Sequence, residues 1–592
     1  HFSLLDQAES GVGLALGLRD FLGTGIFSSE YIVATAAMSE TVDVTAGLGW
    51  GRLAGRDSFA NPLGLIADSF DERPGRDFGR GGDIEVGGWF RGDASLFLGV
   101  NWDVSKNTSV QLEYSPDLYE TELQFSEVEI SSPVNAAIQY RFDNDATLRA
   151  FTVGGSNFGA QFSFFLDPST RLAPSGAEPG PRPLVPRDSL AAASWVTSGS
   201  NPTTATLQTR LADEGLQLDN LKISGQVATL HAENLRWDVE AQAAGRAARV
   251  MANTLPPSVE TFTIIFQKKG LPLGSITTQR SDLEQLQYDY DAAWRTLSRS
   301  DIGGAGATGA APARFSYSVT PYLALSFFDP QSPIRADVGP QFDVSYQAAP
   351  GLNLMGRFRY PLAGNLGDSE RESDSVIQKV RSEAFLYARE ADFEINNLSA
   401  EYLWRPGDDL FARVSGGYLE NMYGGVSGEI LWRPVDSRLA LGAELNYVKQ
   451  RDFDMLLGFQ DYDVVTGHAS AYYDVGNGFQ AQLDAGRYLA GDWGATFALH
   501  RKFNNNVRVG GYFTLTDVPF DDFGEGSFDK GIEIEFPLSW FTGKPSRLTV
   551  KETIQPLLRD GGARLNVDNR LYPLTRDYGG PELSDGWGRY LR

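Results

Sequence analysis

Two short spacings in this sequence match motifs that carry chemistry in other proteins. Residues 304–309 fit G-x-G-x-x-G, which binds a dinucleotide pyrophosphate when it follows a strand and opens a helix. Ala-Pro-Ala and an alternating run come next here, so we interpret the glycines as a flexible connector. Ser527 and Lys530 have the S-x-x-K spacing that starts a helix in acyl-transfer enzymes, but a predicted strand begins at Gly531. A structured loop is the better interpretation of this pair.

Residue types that bind metals are present but scattered. His231 and Glu233 fit the H-x-E of zinc deaminases, yet the chain has no cysteine to complete such a site, and we interpret both as strand-edge residues. Carboxylates in predicted loops offer hard oxygen ligands to divalent cations, although none has EF-hand spacing. We predict solvated loop charge for them and no cofactor; they are Asp452, Asp454, Asp461, Asp463, Asp517, Asp521, Asp522 and Glu525.

A third group has the chemistry of sugar recognition. Aromatic rings stack on sugar faces, and guanidinium and carboxylate groups bind hydroxyls. Arg487, Tyr488 and Asp492 lie close together in the sequence and are candidates for a sugar path. The alternative is that they belong to the packing and aromatic girdle that every membrane barrel has.

Two arginines form a local basic feature in an acidic chain. Arg246 and Arg249 lie in an alanine-rich segment, Trp237 to Thr254, that stops at two prolines and is predicted to be a helix. Such a feature attracts an anionic polymer or a partner protein. The alternative is that both side chains only solvate an amphipathic helix.

The composition excludes several classes of protein. A formal net charge of −25 and a pI near 4.6 argue against nucleic-acid partners and against a polybasic membrane patch. The absence of cysteine removes disulfides and thiolate chemistry. No apolar run is long enough for a transmembrane helix, and no signal peptide opens the chain, so the protein either stays inside the cell or has lost its signal.

The elements that must position these residues are strands. Apolar and polar residues alternate in many runs, as in Leu441, Ala443 and Leu445 or Phe497 and Leu499. About a dozen such runs follow Phe315 and about nine precede Leu166, each of the length that a transmembrane β-strand needs. A soluble β-sandwich also alternates, but the number of consecutive hairpins and the aromatic residues near strand ends favour membrane barrels.

The middle of the chain differs and sets the domain boundaries. We predict a first barrel over 1–168, a Pro/Gly-rich linker over 169–205, a small α/β module of order α-β-β-α-β-β over 206–300, a Gly/Ala linker over 301–313, and a second barrel over 314–592. The fold class is therefore mainly β, with two antiparallel transmembrane barrels joined by the module. One large barrel with an inserted module is the alternative.

Several stretches together resemble the YjbH/GfcD outer-membrane proteins, which are encoded with exopolysaccharide and capsule gene clusters. These stretches follow the family order across nearly the whole chain: GLRDFLGTGIFSSEYIVAT, GLGWGRLAG, GGWFRGDASLFLGVNWD, LEYSPDLYE, AAGRAARVMANTLPPSVETFTI, GGYLENMYGGVSGEILWRP, GRYLAGDWGATFALHRKFNNNVRVGGYFTLTDVPFDDFGEGSFDKG and LLRDGGARLNVDNRLY.

The resemblance implies a bacterial outer-membrane protein with a periplasmic module that acts in export or assembly of an extracellular polysaccharide. It implies as partners the polysaccharide, other proteins of the secretion system and outer-membrane lipid. It carries over no catalytic residue and no cofactor. Family members have further residues upstream, so we expect missing strands in the first barrel. A general diffusion porin and a polysaccharide-modifying enzyme are the alternative functions.

Overall fold

The computed structural model of this chain consists mainly of antiparallel strands. The structure describes residues 1–592 except 21–24, 76–85, 126–127, 175, 189–201, 305, 307–311, 328–333, 370–372, 374, 524–527 and 556–557. Two compact units make up the chain, His1–Asp167 and Pro168–Arg592. Ser527 and most of the glycine-rich connector lie outside the described residues.

The first unit is a nine-stranded sheet in which each strand pairs antiparallel with the next. Within the described part of this unit, β1 pairs only with β2 and β9 only with β8. Two short helices accompany it, α1 (Gln7–Ser10) and α2 (Glu120–Phe125). The strands are β1 Phe2–Leu5, β2 Val12–Arg19, β3 Ser29–Ser39, β4 Val42–Gly51, β5 Ala94–Asp103, β6 Thr108–Tyr114, β7 Val134–Arg141, β8 Thr147–Val153 and β9 Asn157–Ser163.

The second unit begins with a small α/β module. Its five-stranded sheet has the order β10-β11-β12-β13-β14, with a parallel pair only at β11 and β12. The predicted order α-β-β-α-β-β is found, followed by two further helices and a last short strand. The elements are α3 Pro202–Asp213, β10 Leu216–Ser224, β11 Val227–Asn234, α4 Glu240–Thr254, β12 Thr261–Lys268, β13 Leu271–Gln279, α5 Arg280–Leu286, α6 Ala292–Arg299 and β14 Asp301–Gly303.

Both segments that the sequence presents as linkers contribute to this module. Arg187 donates to Glu284 and to Glu260, and Leu184 is buried in the module core. Asp301–Gly303 pairs with β13 as an edge strand instead of opening the predicted connector. Proline and glycine content indicates an irregular backbone, but it does not show whether that backbone packs on a neighbour.

The second large sheet has fourteen strands and forms a nearly closed barrel. Consecutive strands pair antiparallel, except that the short β18 pairs with β16 off the main path. The strands are β15 Arg314–Phe327, β16 Ile334–Ala349, β17 Leu352–Arg359, β18 Ala363–Gly364, β19 Glu394–Gly407, β20 Leu410–Tyr418, β21 Tyr423–Trp432, β22 Leu439–Arg451, β23 Phe459–Gly476, β24 Phe479–Arg487, β25 Trp493–Lys502, β26 Arg508–Thr516, β27 Asp529–Pro537 and β28 Thr549–Ile554.

Burial along these strands is the reverse of that in a water-soluble protein. In β22, Leu445 and Tyr447 point outward and are 66% and 55% exposed, whereas Glu444 and Asn446 point inward and are 7% and 1% exposed. Because successive side chains of a strand face opposite sides, one face of the sheet is apolar and uncovered and the other is polar and covered. The predicted alternation is confirmed, and the apolar side is the outside.

The last part of the chain does not continue the sheet. After β28, residues 558–592 form short helices and irregular segments, whereas the sequence prediction assigned the whole of 314–592 to a barrel. The helices of this region and of the barrel loops are α7 Ala384–Glu390, α8 Phe520–Phe523, α9 Leu538–Thr542, α10 Leu571–Thr575 and α11 Gly580–Asp585. Across the described residues, no helix is long and apolar enough to cross a bilayer.

Candidate functional site

Residues 558–592, named here the C-terminal segment, run along the inward face of the second large sheet. At its start, the Asp560 carboxylate accepts the backbone N–H groups of Val380, Arg381 and Ser382 at 2.7–3.0 Å. The N–H of Gly562 donates to Asp492 at 2.8 Å. These contacts attach the segment to one barrel loop and to the turn between β24 and β25.

Two arginines of the C-terminal segment neutralise carboxylates on the inner wall. Arg564 donates to Glu444 on β22 at 3.0 Å and lies 2.9 Å from Asp484 on β24. Arg570 pairs with the same Glu444. The Glu444 and Asp484 side chains are almost fully buried, so each ion pair is shielded from water. Removing one partner of such a pair leaves an uncompensated buried charge, which makes these contacts strong positional restraints.

Further contacts extend this attachment around the wall. Asn569 donates to Glu401 on β19 at 3.0 Å, and the N–H of Leu571 donates to a carboxylate on β21. The ring of Tyr572 stacks on that of Tyr472 on β23, with centroids 3.8 Å apart and planes within 2°. Because the segment touches wall residues from β19 to β27, it occupies the barrel lumen.

The C-terminal segment then reaches the end of the barrel that adjoins the module. Arg576 pairs with Glu535 on β27 at 2.8 Å. Asp577 lies 2.7 Å from Arg508 at the start of β26 and 3.2 Å from Lys502 at the end of β25. One carboxylate of the segment is therefore held between two cations of the wall.

The final residues dock inside the α/β module. Arg246 and Arg249 donate to the backbone carbonyls of Arg592 and Leu591, at 2.7 and 3.0 Å. Gly245 of the same helix lies against Tyr590: a Cβ atom there would be 1.5 Å from the Tyr590 carbonyl oxygen. Glycine is thus required at this point of the helix because the backbone of the segment crosses it.

This docking corrects the sequence interpretation of helix α4. Arg246 and Arg249 are only 2% and 5% exposed, because the C-terminus and residues 179–182 cover them. Burial lowers the pKa of both guanidinium groups from its usual value. Protein groups cover both side chains, so they do not simply solvate the helix, and contact with a polymer or a partner protein through these two arginines stays a prediction.

The predicted sugar-path residues meet at the β24–β25 turn. Tyr488 is fully buried, with its hydroxyl 2.7 Å from that of Thr496 and its ring against His468. Arg487 donates a hydrogen bond across the turn to the carbonyl oxygen of Gly491. The Asp492 carboxylate accepts a hydrogen bond from the N–H of Gly562 in the C-terminal segment. The three residues are brought together and their hydrogen-bond partners are protein groups, and Asp492 contacts the segment directly. Sugar contact by them remains a prediction.

His231 and Glu233 do not lie at a sheet edge as the sequence suggested. They belong to β11, which has a neighbouring strand on each side. Burial lowers the pKa of His231 and raises that of Glu233. Within the described residues, no group of three or more His, Cys, Asp or Glu is arranged to hold a metal ion.

A cavity of about 920 Å³ lies beside the C-terminal segment. Its lining includes barrel strands, the segment itself, and Asp238 and Lys268 of the module. Lysines and arginines outnumber aspartates and glutamates among the lining residues by nine to six, although Arg547 and Arg570 are paired with Glu240 and Glu444 outside the lining. A polar, basic cavity of this size suits an anionic, hydroxyl-rich ligand.

Sequence reasoning missed the wall carboxylates and their partners. Glu429 and Glu444 stand directly opposite each other on β21 and β22. Like charges in that position destabilise a sheet unless cations come from elsewhere. The signal was available: an inward-facing carboxylate pair, followed by a non-alternating tail that contains Arg564, Arg570 and Arg576.

Comparisons with known proteins identify the relatives of the chain. Residues 1–577 match the YjbH family, described as "Exopolysaccharide biosynthesis protein YbjH". The chain is 30% identical over 589 residues to the "Uncharacterized lipoprotein YjbH" of Escherichia coli (strain K12), covering 95% of this chain and 82% of that protein.

Solved structures give only distant likenesses. The FrpB iron transporter from Neisseria meningitidis (F3-3 variant) is 10% identical, with 94% of this chain and 79% of that chain covered, at a TM-score of 0.20. The P. putida toluene transporter TodX is 8% identical, with 85% and 80% covered, at a TM-score of 0.13. Scores this low carry no argument about fold or function. The family match and the 30% identity are sufficient without these structures, and they show that the chain belongs to the YjbH family.

Proposed function

We propose that this protein resides in the bacterial outer membrane and acts, without catalysis, in the export or assembly of an extracellular polysaccharide. The observation that carries the proposal is the cavity, rich in lysine and arginine, between the barrel wall, the C-terminal segment and the module. The chain also belongs to a family that is described as an exopolysaccharide biosynthesis protein. A hydroxyl-rich polymer finds hydrogen-bond donors and charge in such a cavity.

The outward face of the barrel supports the membrane location. Exposed apolar side chains recur along every long strand, for example Leu441, Val465, Phe497 and Leu515. Water does not stabilise such a surface, whereas the hydrocarbon of a bilayer does. We further propose that the first sheet completes a second barrel and that the module faces the periplasm, where the polymer and other proteins of the secretion system would meet it.

The test is to locate the polymer in a strain that lacks the gene. Polymer is measured separately in the periplasm and in the medium, with a complemented strain as the control. We expect periplasmic accumulation on deletion and recovery on complementation. Unchanged export would contradict the proposal. Changed polymer length with unchanged export would favour the polysaccharide-modifying alternative, and steady conductance of the purified protein in planar bilayers would favour a diffusion porin.

A further inference from the structure

Three cations stand in one row at the module end of the barrel. Lys502, Arg508, Glu535 and Lys551 are directly opposite one another across β25, β26, β27 and β28. Residues that are opposite in an antiparallel sheet project to the same face, and all four line the cavity. Lys502, Arg508 and Lys551 are named here the basic row.

The carboxylates next to the basic row do not balance its charge. Glu535 of the row already accepts Arg576 at 2.8 Å, and Lys551 lies 3.7 Å from it. Asp577 of the C-terminal segment is shared by Lys502 and Arg508, at 3.2 and 2.7 Å. Lys268 of the module lines the same cavity and adds positive charge, whereas the charge of Arg547, which also lines it, is compensated by Glu240.

Water and ligand can reach Lys502, Asp577 and Lys551, whereas the Arg508 side chain is 11% exposed. The Asp577 and Lys502 side chains are each 30% exposed, and that of Lys551 is 60% exposed. Asp577 is thus a part-exposed carboxylate of the C-terminal segment, paired with two cations at the edge of an open cavity. A carboxylate from outside can make the same charge-assisted hydrogen bonds.

We propose that the basic row is a binding site for carboxylate-bearing sugar residues, and that Asp577 occupies it when no polymer is bound. This inference rests on the proposed function and adds the substrate class: an acidic polysaccharide, such as one containing uronic acids. Ligand carboxylates bind Lys502 and Arg508 in place of Asp577, with Lys551 at the exposed end of the row. No covalent step is involved.

The test uses the purified full-length protein in detergent and a galacturonic acid octamer as the probe. Isothermal titration at low salt should show binding of the octamer about tenfold tighter than that of a neutral glucose octamer, and added salt should remove the difference. Equal affinity for the charged and neutral octamers would overturn the proposal. Tighter binding of inorganic phosphate than of the octamer would also overturn it, because the site would then select phosphate.

Variants locate the site. Asp577→Asn removes the internal competitor while keeping its shape, and we expect octamer affinity to rise by about threefold to tenfold. Lys551→Gln changes an exposed residue with little risk to folding, and affinity should fall by about threefold. Lys222→Gln, on the exposed face of the module, is the matched control and should leave affinity unchanged. If Asp577→Asn and Lys551→Gln both match the wild type, the site is not the basic row.

The two proposals fail separately. If gene deletion traps polymer but the octamer binds without regard to its charge, the export role stands and the acidic-sugar site falls. If the octamer binds as expected but deletion leaves export unchanged, the site stands as a sugar site and the export role falls.

Discussion

At the scale of single residues, Gly245 shows how the absence of a side chain leaves room for the backbone of the C-terminal segment. Alanine usually stabilises a helix interior relative to glycine by about 1 kcal/mol. Here the Cβ of Gly245→Ala would lie 1.5 Å from the Tyr590 carbonyl oxygen, a backbone atom that cannot rotate away. We therefore expect the substitution to lower the free energy of unfolding by about 1–3 kcal/mol and to speed carboxypeptidase release of the last residues.

Gly588→Ala is the matched control for this prediction. It lies in the same segment, and its added Cβ would meet no atom within 4 Å. Equal carboxypeptidase rates for Gly245→Ala and Gly588→Ala would show that the C-terminus does not dock across helix α4.

Arg564 is a residue whose loss should be costly. It forms ion pairs with two buried carboxylates, Glu444 and Asp484. Removing one partner of a buried ion pair lowers the free energy of unfolding by about 3–5 kcal/mol. We expect Arg564→Met to lower the temperature at which half of the barrel is unfolded. This temperature is measured by the heat-dependent shift in electrophoretic mobility. Arg295→Met, which breaks a half-exposed pair with Asp289, should cost at most about 1 kcal/mol. Similar midpoints for the two variants would contradict the assigned role of Arg564.

At the scale of elements, the C-terminal segment is the part of the structure that lies in the lumen. It crosses the barrel from Asp560 to Asp577 and contacts wall strands on several sides. We expect the intact chain to conduct little in planar bilayers and a chain ending at Gln555 to conduct steadily. Heat-dependent mobility on a gel verifies that the shortened barrel is folded. Equal conductance of the two folded chains would place the segment outside the conducting path.

The α/β module should respond to acid through Glu260. Burial raises the pKa of this carboxyl, but hydrogen bonds from Ser281 and Arg187 outweigh burial, so its pKa is lowered overall. In the window between the folded pKa and the ordinary value near 4.3, the unfolded state binds more protons. The stabilisation by Glu260 is therefore complete above that window and is lost as pH falls through the folded pKa.

Hydrogen exchange of the β12 and β13 amides measures this effect. Protection should fall in the wild type as the solution becomes acidic, and the fall should be smaller in Glu260→Gln, which cannot lose a proton. Parallel curves for the two proteins across the acid range would refute the assignment to Glu260.

Elements with a strong local pattern were predictable, and elements fixed by distant partners were not. Period-two alternation predicted the strands of both large sheets, and the prolines after Thr254 predicted where the module helix ends. The C-terminal segment shows no regular alternation of apolar and polar residues, because its residues pair with carboxylates that lie far away in the sequence. Arg564, for example, pairs with Glu444. For the same reason the burial of Arg246 could not be foreseen: Arg592, whose carbonyl it contacts, lies 346 residues away in the sequence.

At the scale of the whole molecule, charge and hydrophobicity are sorted by surface. The chain is acidic overall, its large barrel is apolar outside, and the cavity inside is rich in lysine and arginine. This arrangement is stable only when the apolar outside faces lipid, and that condition can be tested at one residue.

Leu445 lies at the middle of β22 with its side chain outward and 66% exposed. If it faces hydrocarbon, Leu445→Lys should lower the stability of the barrel in lipid vesicles by about 2–4 kcal/mol near the bilayer midplane. Leu65 is 94% exposed but lies in a short helix of the first unit, so Leu65→Lys should change stability by no more than about 0.5 kcal/mol. Folding titrations in vesicles compare the two. A similar, small effect of both lysines would mean that the outward face of β22 meets water or protein, and the outer-membrane location would then lose its physical basis.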